Sequence, residues 1–266
     1  MIANILSIAG SDPSGGAGIQ ADLKTFSARG TYGMAAMTAL TAQNTRGVTG
    51  VHEVPSAFVS EQITTIFDDV SVSAIKIGMI ANANIAVTIA DCLRHHVEVP
   101  VVLDPVMVAK GGHRLLPEDA VEALKEHLLP LAALLTPNLP EAAALLDEDV
   151  ATDRDTMIAQ AQALRGLGPQ AVLLKGGHLE GEDCPDLLVT AEGHQWLEGK
   201  RIETENTHGT GCTLSSAIAA EIGKGLSLSD AATEAKTYVA DAIAASDALA
   251  VGSGHGPTHH FHAFWP

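Results

Sequence analysis

Short apolar segments alternate with amphipathic segments along most of this 266-residue chain. The apolar segments have the length of strands, and each ends at a glycine or a polar residue. The segments between them carry apolar side chains at helical spacing, as Ile19, Leu23 and Phe26 do. Repeated strand–helix units predict a mostly parallel central sheet with helices on both faces, a three-layer α/β/α fold. Because no stretch is composed like a linker, we predict a single domain over residues 1–266.

The alternation predicts individual elements. Strands are expected at residues 2–9, 34–42, 74–77, 99–103, 132–135 and 171–174, with short antiparallel strands within 187–202. Helices are expected at residues 17–28, 57–67, 85–93, 118–128, 157–164, 213–222 and 230–248. Ligands of such folds bind beyond the carboxyl ends of the strands. Residues that follow predicted strands should therefore line one rim: Gly10, Gln43, Gly78, Asp104, Asn138 and Lys175.

Composition limits the classes of partner. Apolar residues make up 46% of the chain but aromatic residues only 3%, so aliphatic side chains must fill the core. The formal net charge of −17 disfavours nucleic acid and anionic membranes, because both are negatively charged. The sequence has no apolar run long enough to span a membrane. Its three cysteines, Cys92, Cys184 and Cys212, have neither disulfide-framework nor zinc-site spacing, which predicts a reducing, cytoplasmic location.

The strongest local motif runs from Asn206 to Thr213 and leads directly into a helical pattern. Its glycines allow a tight turn, and the helix start presents the backbone N–H groups of Gly209, Gly211 and Cys212 to an anion. The simpler interpretation is a glycine-rich turn with a buried cysteine. A P-loop is excluded, because Gly16 stands where that motif requires lysine.

Cys212 falls at the positive end of the predicted helix. That position is expected to lower the pKa of the thiol and to suit it to act as a base or as part of an anion hole. Cys212 could also be a covalent nucleophile with His208 as its base, although His208 is equally compatible with an exposed loop residue.

A second group of polar residues follows other predicted strands. Asp104, Asn138 and Glu141 offer oxygen ligands of the kind that Mg²⁺ prefers, but Asn138 and Glu141 also fit a helix capping box. Lys175 could neutralise a phosphate, or it could be a solvated strand end. The histidines near the C-terminus, among them His259 and His260, are expected to belong to a non-catalytic tail or to a packed aromatic end.

Taken together, these motifs resemble the ribokinase superfamily and specifically its hydroxymethylpyrimidine/phosphomethylpyrimidine kinases. The matching stretches cover the chain nearly end to end and follow the family order: AGSDPSGGAGIQADLKTFSARGTYG, TALTAQNT, KIGM, VLDPVM, LLTPNLPEA, LLKGGH, NTHGTGCTLSSAIAA and GHGPTHHFH. The resemblance implies a ribokinase-like fold. It also implies ATP-dependent phosphorylation of 4-amino-5-hydroxymethyl-2-methylpyrimidine and of its monophosphate in thiamine biosynthesis, with ATP as co-substrate, Mg²⁺ as cofactor and a homodimeric assembly.

The same resemblance implies roles for individual residues. Cys212 would be the general base, where most of the superfamily has aspartate. The turn of Gly209, Thr210 and Gly211 would form the anion hole. Asp104, Asn138 and Glu141 would organise Mg²⁺ and ATP, and Lys175 would contact phosphate.

The pyrimidine pocket implied by the resemblance comprises Gly10, Asp22, Gln43, Met79 and Val106. The amide of Gln43 offers one donor and one acceptor, so it can pair with an aminopyrimidine edge as glutamine pairs with adenine. Residues 107–113, which include Lys110, resemble a flap that closes over the substrate and excludes water.

Three alternatives remain open at the level of the sequence. A pyridoxal/pyridoxine kinase of the same superfamily would share the anion hole and the metal group. A non-catalytic sensor of a phosphorylated metabolite would need the anion hole but not Cys212, Lys175 or the metal group. A cysteine hydrolase would use Cys212 with His208.

Overall fold

The computed structural model describes residues 1–107 and 116–265. Within them the strands are β1 (Asn4–Ala9), β2 (Tyr32–Met37), β3 (Ala39–Asn44), β4 (Gly47–Glu53), β5 (Ala74–Ile77), β6 (Val101–Leu103), β7 (Leu134–Leu135), β8 (Val172–Lys175), β9 (Asp186–Val189) and β10 (His194–Leu197). The helices are α1 (Gly18–Ala28), α2 (Ser56–Asp69), α3 (Ala83–Leu93), α4 (Glu118–Ala123), α5 (Leu139–Leu146), α6 (Arg154–Gly166), α7 (Thr210–Gly223) and α8 (Leu228–Ala244). Short 3-10 turns occupy Leu129–Leu131 and Ser246–Ala248.

One large sheet organises the described residues, with the strand order β10-β9-β8-β7-β6-β5-β1-β2. The strands from β8 to β2 run parallel, whereas β9 is antiparallel to both β8 and β10. Successive side chains of β1 point to opposite faces, so Ile5 joins one apolar core cluster while Leu6 and Ile8 join the other. One core packs against α1, α7 and α8, and the other against α2, α3 and α6. The predicted three-layer α/β/α architecture is confirmed.

The segment predicted as one strand over residues 34–42 is two strands in different sheets. β2 ends the large sheet at its edge, and the chain then leaves it at Thr38, whose hydroxyl donates to the carbonyl of Met79 at 2.6 Å. β3 instead pairs with β4 as a separate antiparallel hairpin. β4 was not predicted, because none of its side chains is buried and it therefore lacks the apolar pattern of a half-buried strand.

Two helical segments also differ from the prediction. The helix expected over residues 118–128 is α-helical only to Ala123 and continues as a π-helical turn over Leu124–Leu128. The helix α5, for which the sequence indicated only a start at Asn138, runs to Leu146.

Both core clusters lie against the same sheet, and the described parts of the chain show no second sheet with a core of its own. We therefore propose that residues 1–266 form one domain. None of the helices that the structure describes has the combined length and hydrophobicity needed to cross a bilayer.

Candidate active site

A cleft of about 1300 Å³ opens above the carboxyl ends of β1, β5, β6, β7 and β8. Most of the predicted site residues line this cleft: Gly10, Gln43, Met79, Asp104, Val106, Asn138, Glu141, Lys175, Gly209, Thr210, Gly211 and Cys212. They come from sequence positions up to two hundred residues apart, and the parallel strand order brings them to one edge. Gly78, predicted on the same rim, does not line the cleft. A Cβ atom at Gly78 would lie 2.7 Å from Lys76 Nζ, so the position is closely packed. Of the predicted flap, only Met107 is described; residues 108–113 lie outside the described residues.

The glycine-rich turn before α7 is held in its conformation by close packing. Gly209 is the N-cap of α7 with a φ of 77°, and a Cβ atom there would lie 1.7 Å from the carbonyl oxygen of Gly16. Only glycine fits this left-handed, crowded position. The first intrahelical bond runs from Thr213 N–H to the Gly209 carbonyl at 2.8 Å. The preceding amides of Gly211 and Cys212 have no carbonyl partner within the helix, and they lie on the cleft wall.

Lys175, at the end of β8, lies beside this turn. Its Nζ atom is 3.0 Å from Asp104 Oδ1 and 4.0 Å from Glu141 Oε2. A Cβ atom on Gly211 would lie 3.3 Å from the same Nζ atom. Burial acts to lower the pKa of Lys175, but the carboxylates of Asp104 and Glu141 outweigh it and raise that pKa. A permanent positive charge therefore stands within reach of an anion bound at the start of α7.

Asn138 and Glu141 form the capping box that the simpler interpretation predicted. Asn138 Oδ1 accepts from Glu141 N–H at 2.8 Å, and Glu141 Oε2 accepts from Asn138 N–H at 2.8 Å. The structure also brings Glu141 to Asp104, which sequence spacing did not show. Burial raises the pKa of Glu141 to about 7, with Asp104 adding to the rise and Lys175 opposing it. This corner of the cleft thus contains two carboxyl groups, those of Asp104 and Glu141, but only one positive charge, that of Lys175.

Cys212 is partly exposed on the cleft wall between two helix starts. It is the third residue of α7, and the backbone N–H of Gly18, the first residue of α1, acts to lower the pKa of its thiol. The pKa of its thiol nevertheless moves opposite to the predicted direction. Loss of hydration raises it to about 11, with Lys76 acting to lower it and Asp22 and Asp104 adding to the rise. The sequence showed the helix start, but it could not show how densely the thiol is surrounded.

Asp22 does not line the cleft, contrary to the prediction that it contacts the pyrimidine. Its carboxylate is fully buried and accepts from Lys76 Nζ at 2.9 and 3.0 Å and from the hydroxyls of Ser7 and Ser216 at 2.6 Å each. Lys76 is fully buried as well. Burial acts to lower the pKa of Lys76, but Asp22 outweighs it and raises that pKa. Asp22 and Lys76 therefore form a buried ion pair at the base of the cleft, in which Lys76 reaches the lining and Asp22 lies behind it.

The other end of the cleft is built from the loop after β1 and from the β3–β4 hairpin. Gly10 and Met79 are in close contact, since a Cβ atom on Gly10 would lie 2.2 Å from Met79 Cε. Gln43 comes from β3 and not from the rim of the large sheet, as the prediction of one strand over residues 34–42 had implied. The hairpin thus supplies a polar side chain that faces the apolar wall of Met79 and Val106.

Asp12 and His208 are functional candidates that the sequence did not identify as a pair. Both are buried, and His208 Nε2 lies 2.8 Å from Asp12 Oδ2. Burial acts to raise the pKa of Asp12, but hydrogen bonds from His208 and Ser14 bring it down to about 2. The spacing of Asp12, Ser14 and Gly15 is a turn signal that could have identified this loop. The hydrolase alternative needs His208 as a base for Cys212, whereas this nitrogen is directed to Asp12.

Comparison with known proteins gives a consistent relationship. A family model described as phosphomethylpyrimidine kinase matches residues 12–259. The hydroxymethylpyrimidine/phosphomethylpyrimidine kinase of Salmonella typhimurium is 53% identical over 263 residues, 98% of each chain. The crystal structure of an ADP complex of Bacillus subtilis pyridoxal kinase superposes with a TM-score of 0.90 at 37% identity and 99% coverage of both chains.

A phosphomethylpyrimidine kinase from Clostridium difficile 630 superposes with a TM-score of 0.81 at 42% identity, over 91% of this chain and 99% of that one. These likenesses confirm the predicted ribokinase-like fold. They also confirm the resemblance on which the site prediction was based. The chain therefore belongs to the phosphomethylpyrimidine kinase family and is itself a kinase.

Proposed function

We propose that this kinase transfers the γ-phosphoryl group of ATP to the hydroxymethyl group of 4-amino-5-hydroxymethyl-2-methylpyrimidine. A second transfer onto the monophosphate then gives the diphosphate used in thiamine biosynthesis. The observation that carries the proposal is that one cleft is lined by Gln43, Cys212 and Lys175 together. The names of close relatives, which are hydroxymethylpyrimidine/phosphomethylpyrimidine kinases, support the same substrate.

In the proposed mechanism, Gln43, Gly10, Met79 and Val106 hold the pyrimidine with its hydroxymethyl group toward Cys212. The thiolate of Cys212 takes the hydroxyl proton as the oxygen attacks the γ-phosphorus, and ADP leaves on the opposite side. The amides of Gly211 and Cys212 and the ammonium group of Lys175 stabilise the charge on the transferred group. Removing one such donor typically lowers turnover by about 10²- to 10³-fold.

The corner formed by Asp104, Glu141 and Lys175 fits a divalent cation. Its donor set is made of carboxylate oxygens, which suit Mg²⁺, and the two carboxyl groups of Asp104 and Glu141 face the single ammonium group of Lys175. In the described parts of the chain, no three histidine, cysteine or acidic side chains are placed to hold a metal ion by themselves, so water and phosphate would supply the remaining ligands. Bound there, Mg²⁺ would neutralise the phosphates of ATP. Asn138 and Thr210, also on the wall, would complete the nucleotide side.

A second candidate substrate is pyridoxal, because several solved pyridoxal kinases superpose closely on this chain. One of them, the pyridoxal kinase of Staphylococcus aureus in complex with AMP-PCP and pyridoxal, has a TM-score of 0.90 at 31% identity over 99% of this chain. The amide of Gln43 favours an aminopyrimidine over pyridoxal, since it offers a donor and an acceptor side by side.

The test is turnover of the purified protein with ATP, Mg²⁺ and either the aminopyrimidine alcohol or pyridoxal. We expect the pyrimidine monophosphate and then the diphosphate to appear, and Cys212→Ala to lower kcat at least about 100-fold with little change in pyrimidine affinity. Cys184→Ala, which changes a cysteine outside the cleft, is the matched control. A tenfold or greater preference for pyridoxal would reverse the substrate assignment, and unchanged turnover of Cys212→Ala would remove Cys212 from the mechanism.

We further propose a homodimer in a reducing, cytoplasmic compartment. The cysteines are unpaired, which fits a reducing compartment. Tyr32, Leu40, Val51 and Phe58 are exposed in or near the edge strand β2 and the β3–β4 hairpin, and exposed apolar side chains of this kind suit burial against a second copy. Light scattering across a dilution series checks the assembly, and a monomer at micromolar concentration would contradict it.

A further inference from the structure

His208 is a buried residue on the cleft wall that the proposed mechanism does not use. It immediately precedes Gly209, and its backbone N–H donates to the carbonyl of Gly256 at 3.0 Å. Its Nε2 atom stands between two side chains, 2.8 Å from Asp12 Oδ2 and 3.5 Å from the amide group of Gln43. His208 therefore connects the loop after β1 with the hairpin residue at the substrate end of the cleft.

The surroundings of Asp12 determine which atom carries the proton. Asp12 Oδ1 accepts from the backbone N–H and the hydroxyl of Ser14 at 2.9 and 2.7 Å. Asp12 Oδ2 accepts from the backbone N–H groups of Gly16 and Ala17 at 3.1 and 2.8 Å. A carboxylate surrounded by donors is ionised and can only accept. The Nε2 atom of His208 must therefore carry hydrogen, whatever the state of its other ring nitrogen.

That hydrogen decides the direction of the Gln43 amide, whose oxygen and nitrogen are assigned from the bonds they make. A Gln43 nitrogen facing His208 Nε2 would set two donors against each other, so the Gln43 oxygen must face the histidine. The Gln43 nitrogen then faces Thr41 Oγ1 at 3.2 Å. Thr41 donates its own hydroxyl hydrogen to the carbonyl of Ser11 at 2.9 Å, which leaves Oγ1 free to accept. This orientation avoids a contact between two donors at Nε2, whose single hydrogen is directed to Asp12, and it lets Thr41 Oγ1 accept from the Gln43 nitrogen.

We propose that His208, oriented by Asp12, is a positioning residue that sets the direction of the Gln43 amide. It thereby decides which edge position of the substrate ring faces the accepting amide oxygen and which faces the donating amide nitrogen. The inference rests on the proposed function, because it deepens how the pyrimidine is selected. With this order, Gln43 accepts from an amino group on the ring and donates to an adjacent unprotonated ring nitrogen. A ring that carries an oxo group beside a protonated nitrogen presents the opposite order.

The test compares kcat/KM for 4-amino-5-hydroxymethyl-2-methylpyrimidine with that for its 4-oxo analogue. The wild-type protein should prefer the amino substrate by at least about 100-fold. In the oxo analogue, the protonated ring nitrogen would face the Gln43 amide nitrogen, and both groups are donors. His208→Leu removes the ring N–H and lets the Gln43 amide turn over, so the preference should fall at least tenfold. His208→Gln, which can still donate to Asp12, should retain most of the preference. His95→Leu, an exposed histidine distant from the cleft, is the matched control.

A purely structural role for His208 would lower turnover of both substrates equally and leave the ratio unchanged, which would overturn the inference. Failure of the proposed function has a different signature, since the wild-type protein would then not phosphorylate the amino substrate at all. A second measurement needs no variant: ¹⁵N NMR of the wild-type protein should show hydrogen on His208 Nε2. An unprotonated Nε2 atom would also overturn the inference.

Discussion

Opposing local effects act on the thiol of Cys212. The starts of α1 and α7 and the charge of Lys76 favour the thiolate, whereas loss of hydration and the carboxylates of Asp22 and Asp104 favour the thiol. The second group prevails, and the pKa rises to about 11. A thiolate formed there is a strong base, but only a small fraction of the protein carries it at neutral pH.

This balance predicts slow alkylation of Cys212 near neutral pH. In a protein with Cys92→Ser and Cys184→Ser, iodoacetamide should react with Cys212 at a rate that rises tenfold per pH unit, because only the thiolate reacts and the pKa lies near 11. An unperturbed cysteine would level off above its pKa of about 8.5. The measurement is the alkylation rate by mass spectrometry across pH, with free cysteine as control. A midpoint at or below about 8.5 would show that the helix starts outweigh burial.

At the scale of elements, the Lys76–Asp22 pair joins three of them beneath the cleft. Lys76 belongs to β5 and Asp22 to α1, and the hydroxyl of Ser216 connects α7 to the same carboxylate at 2.6 Å. The first turn of α7 carries Cys212, so this pair sits below the residue proposed as base. The pair thus holds the sheet and the two helices that begin at the thiol in one arrangement.

Breaking this pair should be costly for the fold. Lys76→Met leaves the Asp22 carboxylate buried without its cation, which should lower the free energy of unfolding by about 3–5 kcal/mol. The matched control is Lys200→Met, whose partner Asp183 is exposed, and it should change the unfolding midpoint very little. Urea denaturation followed by circular dichroism provides the measurement. Equal effects of the two substitutions would contradict the role assigned to the buried pair.

At the scale of the whole molecule, the final residues bind parts of the site that are distant in sequence. His255 N–H donates to the carbonyl of Thr45 in the hairpin turn at 3.0 Å, and His259 N–H donates to Ala242 in α8 at 2.9 Å. The hydroxyl of Tyr238 donates to the carbonyl of His260 at 2.7 Å. Together with the bond from His208 to Gly256, these contacts hold the hairpin, α7 and α8 to one another. The segment is more than the packed aromatic end that the sequence predicted.

Removing the residues after Ser253 should therefore damage both stability and turnover. Each lost hydrogen bond contributes about 1 kcal/mol, and the turn before α7 loses its support as well. Removing only the residues after Ala263, where Phe264 and Trp265 are exposed, should be tolerated much better. Thermal unfolding and ATP turnover measure the two effects. Full turnover by the protein that ends at Ser253 would show that the C-terminal segment does not support the site.

Local patterns in the sequence determined the order of strands and helices and the set of residues at the strand ends. Asp104, Asn138 and Lys175 could be placed on one rim because a parallel sheet carries all its carboxyl ends at one edge. The turn at Gly209 could be recognised because its glycines and the following helix are contiguous. These properties depend on neighbours within a few residues, which is the range over which sequence periodicity carries information.

Tertiary packing alone decided the rest. The strand β4, which pairs with the strand that carries Gln43, has no buried side chain, so no apolar pattern marked it. The burial of Asp22, the raised pKa of Cys212 and the pairing of Asp12 with His208, 196 residues away, depend on groups brought together through space. Hydration and charge act on a side chain over a few ångströms in every direction, and the sequence records only those neighbours that are also close along the chain.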